Sequence, residues 1–136
     1  LRYIVDIVNA QFFDHFLEPR NTGIIEDADS VVETGDPVCG DFLVVSIKVA
    51  DEKIDDIRFL CKGCSAAIAT SSAMTEMAKG KSLDEAAKIT PEMIESAVGG
   101  LPDDKRHCSN LGAGALGAAI ENYRVRRRPG SGAGDV

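Results

Sequence analysis

"DFLVVSIKVADEKIDDIRFLCKGCSAAIAT", residues 41–70, contains a change of period that decides the fold. In its first ten residues Leu43, Val45, Ile47 and Val49 face one way, while Ser46 and Lys48 face the other. That is the period of two of a half-buried strand. "DEK" (51–53) then makes a turn, and "IDDIRFLC" (54–61) is a second extended run. So short a connection implies antiparallel pairing, because a parallel crossover needs a dozen or more residues. After Cys61 the alternation stops. "CSAAIATSSAMTEMAKG" (64–80) is rich in helix formers and ends on Gly80, a C′ glycine.

Toward the N-terminus, "DSVVETGD" (29–36) holds a further short strand near 30–34, which completes a three-stranded antiparallel meander. Residues 3–17 place Val5, Val8, Phe12 and Phe16 at helical spacing, and Pro19 ends that helix in the loop "EPRNTG" (18–23). Toward the C-terminus, Ser82 and Glu85 have capping-box spacing, Thr90 is an N-cap with Pro91 at N1, and "LPDD" (101–104) is a loop. A last helix runs from about 105 to 127, with Leu116, Ala119, Ile120 and Tyr123 as its buried stripe. Gly112, Gly114 and Gly117 each weaken it by about 1 kcal/mol relative to Ala, so it depends on packing, and small residues suit a close neighbour. Strands followed by helices make an α+β arrangement, a three-stranded antiparallel sheet packed by about five helices.

The 136 residues are 44% hydrophobic and 27% charged, ordinary values for one globular domain. That domain is expected over residues 1–128, with "PGSGAGDV" (129–136) as a flexible tail. No apolar run approaches membrane-helix length, and the charged start "LRYIVDIVNAQFFDHF" does not read as a signal peptide. The expected location is the cytoplasm, away from membranes. A net charge of −7 argues against nucleic acid as the main partner. The local exception, "YRVRRR" (123–128), suits the negative pole of a helix end or docks an acidic partner surface.

Four cysteines, Cys39, Cys61, Cys64 and Cys108, stand in a chain without an export signal, which points to reduced thiols for metal or catalysis. Cys39 lies in the loop before the strong strand. Cys64 and Cys108 lie at the starts of two helices, where the dipole favours a thiolate. If the three ends converge they form a three-thiolate site, with Asp41 or His107 for a fourth position. Such a site suits zinc or iron–sulfur. A hard oxygen ligand on a soft cluster binds weakly and would let a cluster be assembled and then handed on. Cys61 forms a C-x-x-C pair with Cys64; alternation along its strand points it into the core as a non-ligand, with redox or accessory sulfur chemistry as the alternative. The plainer alternatives are a turn-capping Asp41, a surface His107, a solvated Lys105 and a structural His15.

"GDPVCGD" (35–41), "GCSAAIATSSAMTE" (63–76) and "LPDDKRHCSNL" (101–111) resemble the three cysteine motifs of the IscU/NifU-type iron–sulfur cluster assembly scaffolds, and "DHFLEPRNTG" (14–23) resembles their N-terminal helix and loop. The resemblance runs over residues 3–127 and implies the same α+β fold. It implies a scaffold rather than an enzyme. Such a scaffold accepts persulfide sulfur from a cysteine desulfurase, combines it with iron from an iron donor or frataxin-like regulator, and passes a [2Fe–2S] or [4Fe–4S] cluster to apo-proteins. By motif, Cys39, Cys64 and Cys108 are the cluster ligands, Asp41 the residue of cluster lability, His107 a further ligand, and Lys105 a modulator. Cys108 is the leading persulfide acceptor, with Cys39 and Cys64 as alternatives; zinc is expected in the same site of the isolated protein. The chain departs from the family in reading "LPDDK" for the usual "LPPVK", which argues against docking of an Hsp70-type chaperone, and in having Cys61. It lacks the insertion of the zinc-dependent SufU-type sulfurtransferases, which remain the alternative reading.

Overall fold

The computed structural model describes residues 10–36 and 40–127. In chain order it contains α1 (Ala10–Leu17), β1 (Ser30–Asp36), β2 (Asp41–Ala50), β3 (Lys53–Lys62), α2 (Ser65–Ala78), α3 (Leu83–Ala87), α4 (Pro91–Ala97), a 3-10 turn (Asp103–Lys105) and α5 (His107–Arg127). The expected α+β architecture is present: the three strands form one antiparallel sheet in the order β1-β2-β3, and helices pack on it. Asp51 and Glu52, the two residues between β2 and β3, both have positive φ, as a tight hairpin turn requires.

One sheet face holds the core. Leu43, Val45 and Ile47 on β2 and Ile54, Ile57 and Phe59 on β3 are fully buried there. Helices α2 and α5 lie against the sheet and against each other. Met74 and Ala78 come from α2; Leu116, Ala119, Ile120 and Tyr123 come from α5 as the expected stripe. Thr90 and Ser82 cap α4 and α3 as their spacing predicts. Of the three glycines in α5, only Gly112 has a close neighbour: a Cβ there would lie 3.7 Å from Ile94 Cδ1. Gly114 and Gly117 face open space, so close packing does not explain them. Within the basic helix end, Arg124 Nη2 donates to Asp84 Oδ1 at 2.6 Å.

The structure corrects several expectations. The first strand runs two residues further, to Asp36, because Gly35 and Asp36 pair with Phe42 and Asp41. Ser46 is on the outward face yet buried, because the segment between α1 and β1 crosses that face. That segment pairs with the free edge of β3 through Phe59 N–H to Asn21 O (2.9 Å) and Gly23 N–H to Phe59 O (2.8 Å). It then donates Ile25 N–H to Ser46 Oγ at 3.1 Å and reaches β2 through Asp29 N–H to Ile47 O at 2.8 Å. The last helix starts at His107, so Lys105 belongs to the 3-10 turn. Of the helix expected over 3–17, α1 is its described part; Val5 and Val8 lie outside the described residues.

Helix α1 packs Phe12 and Phe16 against Ala69, Ala73 and Val98. It also buries His15. Ser72 Oγ accepts from Arg20 N–H at 3.0 Å and so has its own proton free for His15 Nδ1, 2.8 Å away. His15 Nε2 faces Glu76 Oε1 at 3.6 Å. Burial first, and then the Arg20 guanidinium, hold the His15 pKa below its ordinary value. The imidazole is neutral and structural.

Candidate metal centre

The inward row of β2 begins with a carboxylate. Asp41, Leu43, Val45 and Ile47 share one face, and Asp41 is 3% exposed at its end. Gly40 precedes it with φ +77°, a conformation that residues with a Cβ rarely adopt. The inward row of β3 runs Ile57, Phe59, Cys61. Phe42 and Lys62 are register partners, so the chain leaving β3 passes Asp41 at Gly63.

Cys64 follows as the N-cap of α2, in extended conformation. Its side chain makes no capping bond; instead its backbone N–H donates to Asp41 Oδ1 at 3.1 Å, and its Sγ lies 3.6 Å from Asp41 Oδ2. Cys108 arrives from the opposite side as the second residue of α5 and is 1% exposed. Its Sγ lies 3.8 Å from Asp41 Oδ2, 3.8 Å from Cys64 Sγ and 3.8 Å from His107 Nε2. Donor atoms of Asp41, His107 and Cys108 fall within 4.8 Å of one another. One hard oxygen, one imidazole and the Cys108 sulfur therefore lie within reach of a single ion where β2 and α5 begin, and the Cys64 sulfur at the start of α2 lies against that oxygen and the Cys108 sulfur. That donor set suits zinc or an iron–sulfur cluster.

Four of the side chains singled out in the sequence, Cys64, Cys108, Asp41 and His107, thus come together. Cys39 lies outside the described residues, immediately before Gly40. Lys105 is half-buried in the 3-10 turn, and its ammonium group makes no hydrogen bond or ion pair among the described residues. Cys61 is half-buried on the inward row of β3 and packs against the sheet core as well as the cluster of Ala66, Ala67 and Cys108. The sequence reading overlooked Gly63, whose only signal is its place next to Cys64. It also overlooked Ser109, buried beside Cys108, whose Oγ has no hydrogen-bond partner among the described residues.

An α+β unit that gathers two thiols, a carboxylate and an imidazole at one end of its sheet offers the donor set of a metal-binding protein. The model of the NifU-like N-terminal domain matches residues 7–129, and the chain belongs to that family, the IscU/NifU type of iron–sulfur cluster scaffold. It is 60% identical over 111 residues to the iron–sulfur cluster assembly scaffold protein IscU 1 of Archaeoglobus fulgidus, covering 82% of this chain and 72% of that one. It is 46% identical over 121 residues to the scaffold protein IscU of Aquifex aeolicus, covering 88% and 77%. Among solved structures it superposes with TM-score 0.71 on a protein from Fervidobacterium islandicum AW-1, proposed as an iron–sulfur cluster assembly scaffold for the SUF system. That match has 23% identity over 85% of this chain and 98% of the other, and speaks for the fold alone.

Proposed function

We propose that the chain is a scaffold on which iron–sulfur clusters are built and from which they are handed to apo-proteins. The observation that carries this reading is the sharing of one buried carboxylate oxygen by two thiols, with Asp41 Oδ2 at 3.6 and 3.8 Å from Cys64 and Cys108. Sites for permanent retention usually offer four cysteine thiolates. Here one corner is a hard oxygen, which weakens the hold on a soft cluster and suits a cargo that must leave.

The cluster is the substrate of this reaction, and Cys39, Cys64 and Cys108 are its thiolate ligands, with His107 beside the last. Sulfur comes from a cysteine desulfurase as a persulfide. The accepting thiolate attacks the outer sulfur; one S–S bond forms, the donor's S–S bond breaks, and the donor cysteine leaves as a thiolate. Cys108 is the leading acceptor; Cys39 and Cys64 are the alternatives, and a persulfide taken up at the more open Cys64 reaches Cys108, 3.8 Å away, by the same exchange. Two sulfane sulfurs need four electrons to become sulfide. Two ferrous ions supply two on becoming ferric in [2Fe–2S], and a one-electron reductant supplies the others. Iron comes from an iron donor or a frataxin-like regulator. The same donors would hold zinc in isolated protein. Asp103 and Asp104 in the segment 101–105 disfavour an Hsp70-type chaperone as partner, and the cytoplasm is the expected setting; no described helix is long and apolar enough to cross a membrane.

The test is anaerobic reconstitution of reduced apo-protein with ferrous iron, cysteine, a reductant and a cysteine desulfurase. Visible absorbance follows assembly, and added apo-ferredoxin reports transfer. A cluster that forms and then moves to the ferredoxin is the expected result. Persulfide accumulating beside retained zinc, with no cluster, would replace this reading with a SufU-type sulfurtransferase. A cluster that forms and never leaves would mark a stable redox module.

A further inference from the structure

Gly63 is the closest neighbour of the Asp41 carboxylate for which the side chain is missing. A Cβ built on it would overlap Asp41 Oδ1, stand 2.7 Å from Cγ and 3.1 Å from Cβ. Real side chains do not tolerate such separations, and neither partner can retreat cheaply. Asp41 is buried at the start of a paired strand, and Gly63 is held between the end of β3 and the N-cap of α2. The backbone itself places no demand for glycine there, because Gly63 is outside the left-handed region that Gly40 occupies. What the position requires is the empty volume.

We propose that Gly63 is a positioning residue whose missing Cβ seats the Asp41 carboxylate between the thiols of Cys64 and Cys108, and so sets how readily the site releases its cluster. This rests on the reading of Asp41 as the weak corner of that site. The seat has a fixed geometry: Oδ1 accepts the Cys64 N–H, and that bond turns Oδ2 toward both sulfurs. A methyl group at position 63 occupies the place of Oδ1. The carboxylate must then swing out, Cys64 N–H loses its acceptor, and Oδ2 leaves the sulfurs. The glycine acts only through Asp41, so its effect must vanish when Asp41 has no carboxylate.

The experiment compares wild type with Gly63→Ala, Asp41→Ala and the double variant. In apo-protein, the Cys64 amide proton is followed by heteronuclear NMR. Gly63→Ala is expected to move it upfield, as loss of a carboxylate acceptor does, to the position seen in Asp41→Ala, with no further shift in the double variant. After reconstitution, all three variants are expected to retain their cluster about tenfold longer than wild type, the usual scale for groups that tune a metal site. An unmoved Cys64 amide in Gly63→Ala overturns the proposal, as do effects of the two substitutions that simply add. Should Gly63→Ala fail to fold, the double variant decides: recovery of folding on removing the carboxylate supports the steric seat, and continued failure overturns it. A wild-type protein that builds no cluster would sink the scaffold reading alone, since the apo-protein amide still reports whether Gly63 seats Asp41.

Discussion

The two ends of β2 bury the same face for opposite reasons. From Leu43 to Ile47 the inward row is apolar, and removing it from water stabilises the fold by roughly 1.5–3 kcal/mol per side chain. Two residues earlier the same row is a carboxylate buried almost as deeply as the leucine. Burying that charge is unfavourable unless it is bonded, and here it accepts the Cys64 N–H and lies against two thiols. One region is selected for packing, while the other keeps polar groups out of water in an arrangement that a ligand can use. A strand alternation that is blind to chemistry sets both.

Substitutions on this one row should separate the two regions. Leu43→Ala has the largest expected effect, a loss of about 2–5 kcal/mol in stability from the cavity it leaves, measured by urea denaturation. Asp41→Ala should move that midpoint less, yet slow cluster loss and transfer to apo-ferredoxin about tenfold; decay at the wild-type rate would remove the weak-corner argument. The His15 cluster tests a buried polar group remote from the site. Its folded pKa is lowered, so the unfolded chain binds more protons across the window between the two values. Stability should therefore decline as pH falls from about 6.5 through the folded value, and His15→Gln should flatten that part of the profile; an unchanged profile would mean that His15 is not the group responsible. The smallest effect is expected for Cys61→Ser, which should assemble the cluster at wild-type yield. If a folded Cys61→Ser protein failed to do so, Cys61 would join the ligand set.

Much of the fold was legible because it rests on local periodicity. The alternation of Leu43, Val45 and Ile47, the caps at Ser82 and Thr90, and the stripe ending at Tyr123 need no long-range information. The face of Ser46 was legible but its burial was not, because that comes from a segment some twenty residues away in the chain, which alternation does not reveal. Lys105 was placed in a helix because a 3-10 turn and a first helical turn share composition. The site was legible as residue types: three short motifs with cysteines at helix starts and one aspartate before a strand. Gly63 was not, since a glycine beside a cysteine looks the same whether it serves the backbone, a turn or a neighbouring carboxylate.

By itself, then, the sequence determined the order of strands and helices, the inward rows, the donor atoms on offer and the family. Those follow from period, capping chemistry and motif. Tertiary structure alone decided that Asp41 Oδ2 faces both Cys64 and Cys108, that Cys108 is the more buried thiol, and that the space beside Asp41 is the missing side chain of Gly63. Those depend on how three segments remote in sequence pack at one end of a sheet, and distances of 3–4 Å between them are set by the core that holds the segments in place.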